Sequence, residues 1–259
     1  MDKMTRFIVP ITDCYDVAYA EMRAALIKAA GPEIISLIEP VVAVKPLSLV
    51  NANFVIRLLA EAYSECGAIL YTVVNPSQDQ PERVIGRTRR GNLLFAGRNN
   101  GAFSWLVEDF GCEELVSLPD PGYIPFGGKM IYPPFVARAA SGASITDLGT
   151  LLSPQAVRRC AIEDGTIVHI DNFGIAKLKL YLSLEEALGV RKGDFVTLRV
   201  NGRRLGRALY SDRLMSAPDN TWVIYAGSSL GGLAEIGVAR DSAAALGCLH
   251  VGDKIEIGL

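Results

Sequence analysis

Residues 7–30 read FIVPITDCYDVAYAEMRAALIKAA, and this stretch decides the fold. Phe7 to Ile11 is a short apolar run ending in Thr12-Asp13, with the length and flanks of a buried strand. Residues 17–30 are alanine-rich with helical periodicity and stop at Gly31-Pro32, a helix-end signal. A strand that feeds a helix is the repeating unit of an α/β sheet.

The same alternation continues outward. Ile34 to Ile38 (IISLI) reads as a second buried strand. Residues 48–65 carry Val50, Phe54, Ile56, Leu58, Leu59 and Ala62 at helical spacing. Ala68 to Val74 (AILYTVV) is a third strand, stopped by Asn75-Pro76. Val84 to Arg87 and Leu93 to Ala96 form a hairpin around Arg90-Gly91-Asn92, and Ala102 to Phe110 opens another helix. Strands separated by helices imply an N-terminal α/β sandwich, its sheet mostly parallel and covered on both faces. Residues 119–134, PDPGYIPFGGKMIYPP, hold five prolines and three glycines and read as a rigid irregular loop; 135–149 return to a short helix. After about residue 160 the pattern changes to GTIVHIDNFG, DFVTLRV, RRLGRALYSD, WVIYAGSS, LAEIGVAR and DKIEIGL, short strands split by turn residues. Only 184–189 and 241–247 look helical there. That is a small C-terminal β-barrel. The expected division is a domain over 1–150, a linker over 151–163 and the barrel over 164–259.

Composition bounds the function. Of 259 residues 50% are hydrophobic, so the chain buries a core without staples. Lysine and arginine number 26 against 28 acidic residues, a balance that recruits neither nucleic acid nor an anionic membrane. The cluster Arg87-Thr88-Arg89-Arg90 is short and reads as a solvated turn. Five cysteines, an odd count with no CxxC pair, argue against a disulfide framework and a standard zinc site. The two histidines, His169 and His250, leave little for a histidine-based triad or metal centre, and no metal is expected. No secretory signal and no membrane-spanning run is evident, so the expected setting is cytoplasmic.

Several polar positions stand at strand ends, where ligands of open α/β sheets sit. Asp13, Glu39 and Asn75 each follow a read strand. A carboxylate at Asp13 suits a ribose diol; the alternative is an N-cap for the following helix. Asn75 to Gln80 is a dense polar loop with Arg83 just beyond it. Gly97-Arg98-Asn99-Asn100-Gly101 offers backbone N–H groups and the Asn100 amide to a polar ligand, or is a tight turn before a helix. Asp171-Asn172-Phe173-Gly174 is a turn that can also meet an ammonium group. Gly227-Ser228-Ser229-Leu230-Gly231-Gly232 lets backbone approach a planar ligand closely.

Taken in order, ITDCYDVAYAEMRAAL, VVNP, NNGAFSWLVED, FGGKMIYPPFVARAASG, HIDNFG, GSSLGGLAEIGVARDSAAALG and VGDKIEI resemble the S-adenosyl-L-methionine hydroxide adenosyltransferase family, relatives of the bacterial fluorinase and chlorinase. The resemblance spans nearly the whole chain. It implies an N-terminal α/β domain, a C-terminal barrel and a homotrimer whose ligand lies between neighbouring subunits. It also implies S-adenosylmethionine as ligand and displacement of methionine from its 5′ carbon. On the matching positions, Asp13 grips the ribose, Asp171 the methionine ammonium and Ser228 the methionine carboxylate; Tyr210 falls near an adenine-side aromatic.

The water-activating set is replaced. Asn75 stands where hydrolase members carry an aspartate, and Gly127 where they carry a histidine. Glu82 stands at their arginine, with Arg83 one step later. Glu39 replaces an early histidine, Ile175 a late asparagine, and Lys129-Met130 an arginine-aspartate pair. An amide does not accept a proton as a carboxylate does, and glycine has no side chain to offer. Glu39, Glu82, Arg83 and Lys129 are the catalytic candidates that remain. The expected function is a diverged enzyme that binds S-adenosylmethionine or a related nucleoside. The alternatives are a biosynthetic enzyme that uses the fold for cyclisation or condensation of another small molecule, and a non-catalytic ligand-binding protein.

Overall fold

The computed structural model describes residues 5–74, 79, 81–122 and 124–259. The chain divides into two compact units, Met1–Cys160 and Ala161–Leu259.

The first unit is built on one seven-stranded sheet. Strands β1 (Phe7–Thr12), β2 (Val42–Ala43), β3 (Ala68–Val73) and β5 (Leu94–Arg98) run parallel, with β1 between β2 and β3 and with β5 beyond β3. β4 (Arg83–Thr88), β6 (Cys112–Ser117) and β7 (Thr150–Leu152) extend the sheet antiparallel. Side-chain alternation assigns the faces. Ile69, Tyr71 and Val73 share a core with Met22 and Leu26 of helix α1 (Val17–Ala30) and Val136 of helix α5 (Tyr132–Ala140). Elsewhere Phe54 of α2 (Leu49–Tyr63) packs its ring on Trp105 of α3 (Ser104–Phe110), and Phe95 of β5 packs on Phe103.

The opening strand and helix form as their sequence dictates. Asp16 caps α1 by accepting the Ala18 amide at 2.9 Å, and Gly31 ends it at φ 78° while donating to the Ile27 carbonyl.

Two expectations fail locally. Residues 34–38 are not a strand; Pro32–Leu37 form a 3₁₀ helix, and only Ile38 bridges β1, at Ile8. Ile34 and Ile38 are buried while Ile35 and Ser36 are exposed, a spacing of one helical turn rather than strand alternation. A proline at the first position is what a helical turn accepts. The stretch 119–134 is not wholly irregular either. Gly127–Met130 form helix α4, and α5 begins at Tyr132. Pro133 and Pro134 fall in the first turn of α5, where amide donors have no intrahelical acceptor, so they do not block it.

The segment read as a linker is fastened to the first unit as far as Cys160. β7 pairs with β6, and Asn99 donates to the Ala156 carbonyl at 2.9 Å and accepts the Arg158 amide at 2.8 Å.

The second unit is a seven-stranded sheet in the order β14, β10, β11, β12, β13, β9, β8. The strands are β8 (Ile167–Ile170), β9 (Ala176–Tyr181), β10 (Phe195–Val200), β11 (Arg203–Tyr210), β12 (Trp222–Ala226), β13 (Leu233–Val238) and β14 (Ile255–Gly258), with short helices α6 (Leu184–Leu188) and α7 (Ala243–Gly247). Its outer strands meet: Ile167 donates to Asp253 at 2.8 Å, Ile255 donates to Gly165 at 2.9 Å, and Thr166 bridges Lys254. The sheet therefore curls into a small barrel around Val196, Leu198, Ala208, Ile224 and Ile236.

Candidate functional site

The carboxyl edge of the first sheet gathers the chemistry. At the exit of β1, the Thr12 hydroxyl donates to the Val73 carbonyl at 2.8 Å and accepts the Cys14 amide at 2.9 Å. That fixes the direction in which the chain leaves the strand and sets Asp13 at the sheet edge. Because Asp16 caps α1, the Asp13 carboxylate is not spent on the helix. It accepts the Leu47 amide at 3.2 Å, and the Cys14 thiol lies 3.6 Å away. Burial and the Asp13 charge push that thiol above its ordinary range, so Cys14 remains a thiol rather than a nucleophilic thiolate.

Beside Asp13, around the end of β3, lies a cavity of about 170 Å³. Its wall includes Val73, Val74, Arg98, Phe126, Gly127 and Tyr132. The hairpin register sets Arg83, at the start of β4, directly opposite Arg98, at the end of β5. The Arg83 side chain is 3% exposed and its Nη1 donates to Asp120 at 2.6 Å, a carboxylate that is 73% exposed. Arg98 donates to the Pro81 carbonyl at 2.8 Å, and burial draws its guanidinium below the usual value without discharging it. Arg83 Nε and the Tyr132 hydroxyl are both buried and both lack a hydrogen-bond partner among the described residues. Each such group costs about 1–3 kcal/mol, and more for a charged one. Burial holds the Tyr132 phenol above its ordinary range, so it stays protonated and able to donate.

The other expected residues are distributed unevenly. Asn75 lies outside the described residues. Asn100 donates to the Val74 carbonyl at 3.0 Å and accepts the Ala102 amide at 3.1 Å, holding the turn after β5. Glu82 is exposed, with Asn99 Nδ2 3.4 Å from its carboxylate. Lys129 pairs with Glu21 of α1 at 2.7 Å and does not line the cavity. The Glu39 backbone lies beside the first half of β1. Its amide donates to the Ile8 carbonyl, near the start of β1, and burial, with the Glu39 carboxylate next, raises the Tyr63 phenol.

In the second unit, Asp171 Oδ1 accepts the Phe173 amide at 2.9 Å and the Ile175 amide at 3.0 Å, building the turn between β8 and β9. The Tyr210 ring sits in the barrel core at 4% exposure, and its hydroxyl donates to Glu185 at 2.6 Å. Burial and that carboxylate push the phenol to about 12. Ser228 is exposed in a loop whose Gly227 lies against buried Glu235. Glu235 is bonded to Lys177 and accepts the Tyr225 hydroxyl at 2.8 Å. Burial and the Lys177 charge hold the nearby His169 below its ordinary value.

No family model matches the sequence. Solved structures share the fold, among them the following two. An uncharacterized conserved protein from Thermotoga maritima superposes with a TM-score of 0.80 at 18% identity, over 97% of this chain and 100% of that one. A conserved hypothetical protein from Thermus thermophilus gives 0.69 at 22%, over 97% and 99%. By sequence, the chain is 27% identical over 206 residues to the (R)-S-adenosyl-L-methionine hydrolase of Salinispora arenicola (strain CNS-205), across 73% of this chain and 74% of that protein. The chain is thus similar to an S-adenosyl-L-methionine hydrolase along most of its length.

Sequence reasoning named Arg83 but missed Arg98, Asp120 and Tyr132. Arg98 carried a signal, because extending the hairpin to its open end pairs it with Arg83. Tyr132 carried none; its hydroxyl matters only because none of the described residues satisfies it. Among the described residues no group of three His, Cys, Asp or Glu side chains is placed to hold a metal, and no helix is long and apolar enough to cross a membrane.

Proposed function

We propose that this chain is a diverged enzyme of the S-adenosyl-L-methionine hydroxide adenosyltransferase family that binds S-adenosylmethionine, or a related nucleoside, at the carboxyl edge of its first sheet. The observation that carries the reading is the Asp13 carboxylate, held at the end of β1 with Asp16 taking the capping role. A carboxylate there accepts both hydroxyls of a ribose, and charge-assisted bonds of this kind are worth about 1.5–3 kcal/mol each. In a homotrimer, the second unit of a neighbouring subunit completes the site, with Asp171 toward an ammonium and Ser228 toward a carboxylate.

The chemistry is substitution at the 5′ carbon. A nucleophile's electron pair forms the new bond, the carbon–sulfur bond breaks, and its electrons neutralise the sulfonium as methionine leaves. Of the four charged candidates, Glu82 and Arg83 share the edge with Asp13, and the reading rests on those two. With Gly127 in place of a histidine and Asn75 in place of an aspartate, water is not activated in the hydrolases' way.

Calorimetry with S-adenosylmethionine, adenosine and methionine tests binding, and chromatography for adenosine and methionine tests cleavage. Heat with the first two is the expected result; no heat with any of the three overturns the reading. Asp13→Asn is expected to weaken adenosine about tenfold or more. Unchanged adenosine affinity removes the ribose role.

A further inference from the structure

The cavity beside Asp13 is a wall of donors. Arg83 and Tyr132 are both more than nine-tenths buried. Arg83 Nε and the Tyr132 hydroxyl lack partners among the described residues. Tyr132 lines the cavity, and so does Gly127, where an added Cβ would stand 3.8 Å from Arg83 Nε. Arg98 lines it as well, and no aspartate or glutamate is among the described residues that do. Among the described residues, the carboxylate bonded to Arg83 is that of Asp120, which is largely in solvent. Two guanidinium groups and a protonated phenol therefore converge, and although Arg83 also donates to Asp120 and Arg98 to the Pro81 carbonyl, Arg83 Nε and the Tyr132 hydroxyl have no acceptor among the described residues. Native interiors rarely keep two such orphans together unless a further molecule satisfies them.

The shape narrows the molecule. A planar guanidinium matches the two oxygens of a carboxylate, and that geometry is shorter and stronger than a neutral bond. The rest of the wall is apolar, with Val73, Val74 and Phe126, which suits a short hydrocarbon tail. A cavity of about 170 Å³ suits a small ligand rather than a large one.

Gly127 keeps the space open. Its backbone does not require glycine, since a Cβ there meets only Ile131 Cδ1 at 3.5 Å and Arg83 Nε at 3.8 Å. Gly128 beside it is different: a Cβ would come within 2.9 Å of Val73. Packing demands the second glycine; the first leaves the cavity empty of side chain.

We propose that this cavity is a receptor for a small monocarboxylate of two to four carbons, its oxygens accepting from Arg83, Arg98 and the Tyr132 hydroxyl. The proposal uses the first unit alone and does not depend on nucleoside binding, so either reading can fail without the other.

The test is calorimetry on the full chain with sodium acetate, propionate and butyrate, against butyramide, chloride and phosphate. Binding by butyrate at about millimolar affinity is expected, a reachable figure for a ligand of six heavy atoms. Butyramide should be weaker by tenfold or more. Arg98→Lys and Tyr132→Phe should each weaken butyrate at least fivefold. Gly127→Leu should abolish binding by filling the space while leaving every charged group in place. Circular dichroism melts confirm folding of each variant. Tyr132→Phe should melt no lower than the parent without ligand, because the hydroxyl it removes has no partner. Failure of every carboxylate to saturate overturns the proposal, as does equal affinity for butyramide or chloride. Tighter binding of phosphate overturns the choice of carboxylate. A marked drop in the Tyr132→Phe melt shows that the hydroxyl is satisfied internally and overturns the donor wall.

Discussion

The Asp13 carboxylate accepts a hydrogen bond from the Leu47 amide, 3.2 Å away, and Leu47 holds a left-handed backbone, φ 59°, at that position. Left-handed geometry costs a branched L-residue about 1–2 kcal/mol. The Leu47 side chain, 69% exposed, recovers little of it by packing. Leu47→Gly should therefore change stability by less than about 0.5 kcal/mol, because relief of that strain offsets the greater entropy of an unfolded glycine. Leu47→Val should lose about 1 kcal/mol or more, since β-branching is least tolerated at positive φ. Urea unfolding of both variants checks this; equal losses would mean that the backbone is not strained.

Adjacent glycines should behave oppositely. Gly128→Ala drives a methyl to within 2.9 Å of Val73 and should cost about 1–3 kcal/mol through overpacking. Gly127→Ala meets ordinary contacts and should be neutral or gain up to about 1 kcal/mol from helix propensity. Thermal melts of the two single variants decide it. A Gly127→Ala protein as damaged as Gly128→Ala would mean that the space at 127 is needed for folding.

Acid should release Asp120. The Arg83 guanidinium and the Gly122 amide hold this carboxyl below its ordinary value of 3.8. A depressed folded value means that the pairing stabilises above the unfolded value and is lost as pH falls through the lower folded one. Between pH 5 and 7 the parent should exceed Asp120→Asn by a constant margin, which then shrinks as pH drops below about 4. Melts of both proteins across that range test the sign; a margin that widens toward acid contradicts it.

How much of this was legible follows from the kind of signal each feature leaves. The β1–α1 unit was readable because period and cap agree over residues 7–30, each level pointing the same way. Segment 34–38 was not, since IISLI fits a buried strand and a helical turn equally, and only the burial of Ile34 with Ile38 separates them. Asp13 stood between a ribose contact and a helix cap. Asp16, three residues on, takes the cap because it is the one adjacent to the first turn. The Arg83–Arg98 pairing was implicit in the hairpin. The empty partner of Tyr132 was not, because an unmet hydrogen bond is a property of space rather than of order along a chain.

Glu235 carries the largest single consequence in the second unit. It is 5% exposed, bonded to Lys177, and accepts the Tyr225 hydroxyl at 2.8 Å. Glu235→Gln keeps the shape but leaves the Lys177 ammonium, 14% exposed, without its counter-charge. Breaking a buried pair in this way costs about 3–5 kcal/mol, whereas Tyr225→Phe, which removes one hydrogen bond to a charged acceptor, should cost about 1.5–3 kcal/mol. Burial, with Lys177 next, holds the neighbouring His169 imidazole below its ordinary value, and Glu235 is one of two carboxylates pulling the other way. Without that carboxylate, the His169 titration followed by NMR should move further down. An unchanged His169 together with a loss below about 1 kcal/mol in chemical denaturation would mean that solvent already screens the pair.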